Sequence, residues 1–567
     1  MFLFLVISQL STLSVFKTFK FKRGIMKSSN AFLRFLALLF AFSMVAAACG
    51  SDSDSDSSSS DASSSSSEAA EAEEEEEDTG GTLSQDAIEK AVSGEGDDAE
   101  EEVSDCPVDR STLEGIFAEA DCGRDEIIAM ITEKMEAGEW GVNSDNHLIG
   151  PSGMQVDLND CPADWTDTTG LTDDELRFGQ TTVQSGNLAA YGNLSVGMQV
   201  YFDYVNSLDV LSGRDIEFII KDDGYVAAQT IEYVDELIES ENVFLLQGLG
   251  SPNGLAVYDK VNEECIPHPF YLSGHPAWGD PVNHPWTTSR QMSYSTEAML
   301  WGTWIKTNLA DILPVTVAGL VMDNDFGLAY EMGFEAYAEN NPDVVSEYLP
   351  VRHDPAAPTL TNEVTTISAF DPDVFISLTA GNPCLLAIQE VESSGLRDRI
   401  EAAFTPSVCK GIAAYLAPAG DAADNWWVVG GGLKDTTDTK NMEEPFIKFL
   451  RQLMSDAGED PNISLTGDGA CRGLEFTEAF RIADALPGGM SRTNLMLALR
   501  NFKIYQPCTM DGIKTELSGN ADAYYIEGSD FSKFDAEGQT WNQIGDVVDA
   551  NGGTPNCAWD KANGGCR

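Results

Sequence analysis

The chain has 567 residues, of which 93 are acidic and 33 basic, for a formal net charge of −60. That balance excludes a nucleic-acid binder, which needs clustered Lys and Arg for phosphate contacts, and disfavours association with anionic surfaces. The length also exceeds what one hydrophobic core organises, so more than one domain is expected.

Residues 1–25 place one apolar run ahead of another. A signal needs only one, so Met26 is read as the start. From Met26, basic Lys27 and Arg34 precede an apolar run from Phe35 to Ala48 that ends in three alanines. This is the pattern of a secretory signal peptide, assigned to residues 1–48. The run is short for a membrane span, which usually needs ~20 apolar residues. Cys49 follows, and then a Ser-, Asp- and Glu-rich stretch to residue 83, too polar to bury a core. Small residues followed directly by cysteine resemble the lipobox of bacterial lipoproteins, with Ala46 where that motif prefers leucine. The resemblance implies that Cys49 is diacylated. Residues 49–83 would then be an acidic tether holding the protein to the outer face of a bacterial cell membrane. A plain secretion signal and a retained membrane anchor are the alternatives.

Residues 84–170 read as a small cysteine-bearing appendage, with a helix over 125–137 that places Ile127, Ile128, Ile131 and Met135 on one face. From Leu171 strands alternate with helices. Strands are expected at 176–183, 216–223, 243–248 and 269–272, with helices near 188–207, 226–240 and 253–263. After a linker, HPWTTSRQM, strands are expected at 315–323, 343–350, 373–380 and 425–431, each but the last followed by an amphipathic helix. This alternation means parallel α/β sheets in two domains.

The chain has eleven cysteines, and setting Cys49 aside leaves ten. An even number in an exported chain reads as disulfides. With no CxxC pair and five histidines, a metal site is not expected. Pairing stays open among candidates that include Cys384, Cys409, Cys471 and Cys508, though Cys557–Cys566 is the shortest loop to close.

In open α/β sheets, ligands bind beyond the carboxyl ends of the strands. The loops there are 184–192, 248–254, 273–280, 323–327 and 379–384. The glycines of 248–254 lack the G-x-G-x-x-G spacing of a dinucleotide site. Ser251 is not in a G-x-S-x-G setting, and no histidine pattern completes a triad. Asp323 and Asp325 lack the remaining ligands of a calcium loop, so Asp325 reads as a helix cap. Tyr191, Trp278 and Phe326 are loop aromatics that could converge as a wall of a ligand site.

These loops carry a family resemblance. The chain is similar to type I periplasmic solute-binding proteins, specifically the leucine/isoleucine/valine-binding family of ABC importers. The marks are Ala190-Tyr191-Gly192, the run from Lys221 through Asn253, MDNDFGLAYEMGFEAY (322–337), TTISAFDPDVFISLTAG (365–381) and LSGNADAYYIEGSDFSKFD (517–535). The resemblance implies a two-lobed α/β fold, with parallel sheets flanked by helices and a hinge between the lobes. Lobe one would be 171–292 plus 433–504, lobe two 293–432 plus 505–550, and 551–567 a cysteine-containing tail. By the same resemblance Tyr191 matches the tyrosine of the first loop. Gly250, Ser251 and Asn253 match the serine-bearing loop that binds a ligand carboxylate, and Ser273, Gly274 and His275 match its head-group contacts. Trp278, Asp325, Phe326, Thr379, Asn382 and Ser407 complete the candidate set. Thr379-Ala380-Gly381 stands where amino-acid binders carry a tyrosine. Residues 405–408 stand where they carry the acid that pairs with an ammonium group, and no replacement for that acid is identified. Cys384 and Cys409 follow these two loops, so a bridge between them would stiffen lobe two. The expected function is a lipid-anchored, monomeric binding protein that captures a small polar ligand, amino acid or amide-like. It would deliver the ligand to an ABC permease, without catalysis, cofactor, metal or nucleic acid. A sensory receptor of the same fold and an exported amidase or other hydrolase are the alternatives.

Overall fold

Leu176 and Phe178, both fully buried, open the central strand of the first lobe, β1 (Glu175–Thr182). A computed structural model describes residues 85–93 and 106–566. The expected signal segment, Cys49 and the acidic tether lie outside the described residues. Strand β1 pairs in parallel with β2 (Asp215–Asp222) on one side and β3 (Leu245–Gln247) on the other. Next come β4 (His268–Tyr271) and β5 (Thr287–Gln291), again parallel. Main-chain bonds from Leu246 N to Pro267 O and from Leu272 N to Gly248 O join β3 to β4. A buried strand with both faces covered reads as a near-continuous apolar run, as β3 does with the 243–246 run that leads into it. Strand β1 instead shows through Leu176 and Phe178 before turning to buried Gln180, Thr181 and Thr182.

Strand β5 was not visible. Its residues Thr287, Thr288, Ser289 and Arg290 are polar and lie in the stretch read as a linker, yet all four are buried. They are tolerated because they are paired: Thr288 accepts a hydrogen bond from Phe270 N, and Arg290 donates twice to Glu475.

In the second lobe β6 (Val315–Met322), β7 (Val345–His353), β8 (Val374–Leu378), β9 (Ala402–Thr405) and β10 (Trp427–Val429) lie parallel in the order β7-β6-β8-β9-β10. Four-residue β9 had escaped the sequence reading. The chain then returns to lobe one through helices Pro445–Ala457 and Thr466–Ala485. Strand β11 (Tyr524–Ile526) pairs with β5 in lobe one, whereas β12 (Phe531–Asp535) extends lobe two antiparallel to β10 and β13 (Thr540–Gln543) pairs antiparallel with β12. The third crossing therefore falls at 527–530, later than the expected 505, and residues 505–526 stay with lobe one.

Helix Thr466–Ala485 packs on helix Gly192–Asn206 at backbone distance. A Cβ on Gly197 would meet Thr466 O at 1.8 Å, one on Gly469 would meet Leu194 O at 2.0 Å, and one on Gly473 would reach the Tyr201 side chain at 2.7 Å. Only glycine permits that approach.

The segment before Leu171 is built into lobe one. Its helix runs Leu113–Glu136, longer than expected, capped by Thr112, whose hydroxyl accepts from Gly115 N. Ile116, Ala120, Ile127 and Ile131 enter the lobe-one core alongside Phe446 and Phe480. Arg124 donates to buried Glu478, and Asp167 accepts from the Thr493 amide and hydroxyl. The short helix Gln85–Ser93 instead places Ile88 in the lobe-two core, with Lys306 paired to Glu89.

All ten described cysteines pair, as Cys106–Cys122, Cys161–Cys265, Cys384–Cys409, Cys471–Cys508 and Cys557–Cys566. Cys161–Cys265 ties the N-terminal segment to lobe one across 104 residues. Closing so long a loop restricts the unfolded chain, so replacing both cysteines by serine should cost about 2–5 kcal/mol. A lowered urea midpoint would show it, and an unchanged midpoint would mean that the bridge adds nothing to lobe one.

Candidate functional site

A cavity of about 120 Å³ lies where the two lobes meet. Its walls are mostly apolar: Leu188, Tyr191, Leu194, Tyr225, Leu249 and Leu272 from lobe one, Tyr294, Phe326, Ala380 and Val408 from lobe two. Tyr294 stacks on Tyr330 at 4.3 Å between centroids and meets Phe326 edge-on at 5.0 Å, so the lobe-two wall is a packed aromatic surface.

The cleft is shut. Tyr191 donates its hydroxyl hydrogen to Val408 O at 2.9 Å and accepts from Gly381 N at 3.2 Å. Asn187 adds bonds to Pro355 O and Ala357 O. Gly381 has φ +68, and a Cβ there would meet Asn187 O at 2.6 Å. Burial pushes the Tyr191 phenol up to about 12, which keeps it a hydrogen-bond donor.

Beside Val408 lies the principal polar group. Glu297, 1% exposed, accepts from the Ser407 amide at 2.8 Å, the Ser407 hydroxyl at 2.6 Å and the Tyr330 hydroxyl at 3.0 Å. Burial raises its carboxyl to about 7 against the lowering effect of those bonds. Glu297 comes from helix Tyr294–Asn308, immediately after the first crossing, and Ser407 of loop 405–408 holds it. Lys410, Lys434, Asp435, Asp468 and Arg472 line the hinge side of the same cavity.

Of the residues expected at the site, Tyr191, Gly250, Phe326 and Ser407 line the cavity. Ser251 and Ser273 are fully buried and share a 2.8 Å hydrogen bond between their hydroxyls. Asn253 donates to Asp223 and Thr230, and burial lifts the Asp223 carboxyl to about 6. Gly274 O accepts from Tyr294 N across the first crossing, a support for the cavity wall.

Trp278 does not join Tyr191 and Phe326. It packs on Tyr271 and Tyr258, because the short turn Pro276–Gly279 directs it into lobe one. His275 lies in the same layer, 4.4 Å from the Trp559 ring, and burial depresses its imidazole to about 3, so it is neutral. Thr379 bonds His353 at 2.9 Å, and Asn382 is exposed at a helix start. Asp325 is not the cap of its helix; Asn324 is, accepting from Phe326 N and Gly327 N.

Sequence reasoning missed Glu297, Lys410, Asp468 and Arg472. Their one visible signal was charge inside stretches otherwise apolar or glycine-rich. Among the described residues the only cluster close enough to hold a metal is Cys106, Cys122 and Glu126, and its two cysteines are disulfide-bonded.

The profile of the periplasmic binding proteins matches residues 175–526. Solved structures of the same fold include a branched chain amino acid ABC transporter protein from Thermus thermophilus with bound valine. It is 15% identical over 68% of this chain and 98% of that one, with a TM-score of 0.59. A fatty acid ABC transporter substrate-binding protein from Thermomonospora curvata is 16% identical over 71% and 97%, TM-score 0.58. A solute binding protein of an ABC transporter from Rhodopseudomonas palustris HaA2, in complex with p-hydroxybenzoic acid, is 16% identical over 69% and 100%, TM-score 0.56. The sequence matches no curated protein. The shared feature is the fold: two lobes of parallel sheet flanked by helices, facing each other across a cleft.

The raised Glu297 carboxyl makes stability pH-dependent. An acid whose pKa is higher folded than unfolded contributes stability that is complete below its ordinary value near 4.5 and lost as pH rises through about 7. Glu297→Gln should therefore gain stability relative to the parent at pH 8 and show a flatter melting profile between pH 4.5 and 7. Parallel profiles for the two proteins would rule out the burial of this charge.

Proposed function

Because the chain belongs to the periplasmic binding protein family, we propose that it is the solute-binding protein of an ABC importer, trapping one small organic ligand between its lobes. The observation that carries this reading is the Tyr191 bridge across an apolar cavity that also contains a buried acid. One buried water needs ~10–15 Å³, so about 120 Å³ suits a small organic molecule better than an ion or a polymer.

Glu297 gives the ligand class some definition. It is the only cavity acid held by lobe two through the loop that has lost its own, and it offers acceptor oxygens to an ammonium or amide group. The aromatic surface of Tyr191, Tyr294 and Phe326 takes the body of the ligand. An amino acid or amide-like solute fits both requirements. Turnover is not supported, since Ser251 has the Ser273 hydroxyl as its partner and no general base beside it among the described residues.

Delivery then follows the usual physics of hinge closure: ligand contacts to both lobes favour the closed state, and the closed form is what a membrane permease would meet. We place the protein outside the cytoplasmic membrane, held as a monomer by a lipid on Cys49. Among the described residues no helix is long and apolar enough to cross a membrane.

A thermal-shift screen of the amino acids, their amides, urea and small aromatic acids tests the reading, because a ligand that binds only the folded state stabilises it by mass action. Tyr191→Phe should then weaken the most stabilising of these by roughly thirtyfold, the worth of two lost hydrogen bonds at about 1 kcal/mol each. A flat response to the whole panel would remove the importer reading. Separately, Cys49→Ala should move the protein from the membrane fraction to the medium. Retention after that change would mean that an apolar segment is the anchor.

A further inference from the structure

The hinge-side floor of the cavity is built from paired charges, and one donor among them, on Arg472, has no partner among the described residues. Lys410 donates to both oxygens of Asp530 and to Leu433 O. Lys434 pairs with Glu444 at 2.7 Å. Asp435 accepts from Ile412 N and from the Thr437 amide and hydroxyl. Arg472, only 5% exposed, directs Nε and Nη2 at the same oxygen of Asp468, at 3.2 and 2.7 Å. Its Nη1 is buried and has no hydrogen-bond partner among the described residues; Arg290 Nη1 and Arg500 Nε share that state, but of the three arginines Arg472 alone lines the cavity.

No nearby acid is free to take it. Glu475 is engaged by Arg290 through two bonds and by Gln506 through a third, and the other oxygen of Asp468 lies 3.6 Å from Arg290. A buried donor on a charged group without an acceptor costs more than a neutral donor left in the same position. An acceptor brought by a ligand would remove that cost. Meanwhile the serine hydroxyls of the lobe-one loops are spent on each other and do not line the cavity.

We propose that Arg472 is the anion-recognising group of this cleft, so that the solute is a small carboxylate with its carboxylate on Arg472 Nη1. Its body crosses the apolar cavity, and its other polar end meets Glu297 on the facing lobe. A planar guanidinium holds a carboxylate more tightly than it holds a neutral amide oxygen, because the bond is charge-assisted and directional. The assignment rests on the binding-protein reading above and adds the charge of the solute to it.

Calorimetric titration of the full chain with valine, benzoate and 4-hydroxybenzoate, each beside its carboxamide, tests it. The expected result is that at least one acid binds and its amide binds about 100-fold more weakly. Arg472→Met should erase that difference by weakening the acid. Arg472→Lys, which keeps a cation beside Asp468, should fall between the two and guards against a folding defect. Asp468→Asn removes the competing anion and should tighten the acid, a gain that a merely structural arginine would not give. Equal binding of acid and amide, or an Arg472→Met protein that keeps its preference for the acid, overturns the assignment. If only neutral solutes bind, the assignment fails and the binding-protein reading stands; if nothing binds, both fall.

Discussion

Much of this architecture follows from a shortage of cations. With 93 acidic and 33 basic residues, the protein buries carboxylates that it cannot all pair with Lys or Arg. It holds them by neutral donors instead. Glu297 has Ser407 and Tyr330, Asp223 has Thr230, Asn253 and the Tyr225 amide, and Glu527 has the Gly552 and Thr554 amides. Such bonds favour the charged form less than an ion pair would. Desolvation therefore prevails, and the carboxyls of Glu297, Asp223 and Glu527 all stand above the usual range. One buried cation does serve a junction: Lys410 joins a lobe-two loop to the carbonyl of Leu433 at the second crossing and to Asp530 at the third.

The same shortage shows why the site was only half legible in the sequence. Strands such as β3 and β6 are buried on both faces and announce themselves as apolar runs, so the alternation of strand and helix could be read with little ambiguity. Tyr191, Gly250 and Phe326 followed from that, being loop residues after strands read in this way, whereas Ser407, after the missed β9, followed from the family resemblance alone. Glu297 did not. It belongs to a helix and not to a strand-end loop, and its connection to Ser407 spans 110 residues. Trp278 was misplaced for a related reason: sequence position gives the loop but not the side of the strand to which a ring turns. Strand β5 and the late third crossing were hidden because polar side chains can fill a core position once each has a partner.

Helix Thr466–Ala485 shows a third kind of information that patterning does not carry. Gly469 and Gly473 make it a weak helix by propensity, yet they let it lie against Gly197 with backbone contact. That contact sets the depth of the floor and brings Asp468 and Arg472 to the cavity. Small residues here work by what they allow their neighbours to reach. An unpartnered Arg472 Nη1 in so acidic a protein is then a costly arrangement, and costs of that kind persist where something else in the working cycle offsets them.

The balance of closure follows from these parts. The lobes are held shut across the cleft by the Tyr191 and Asn187 hydrogen bonds, neutral contacts whose net worth is about 1 kcal/mol each. Against them stand the desolvation of Glu297 on one lobe and of Arg472 on the other. The empty closed form thus carries costs that offset part of what these bonds contribute. A solute that satisfies both charged groups at once has large differential affinity for the closed state, and one that satisfies a single lobe has little. Selectivity and closure would then be one event: the chemistry that reads the two ends of the solute is the chemistry that brings the lobes together.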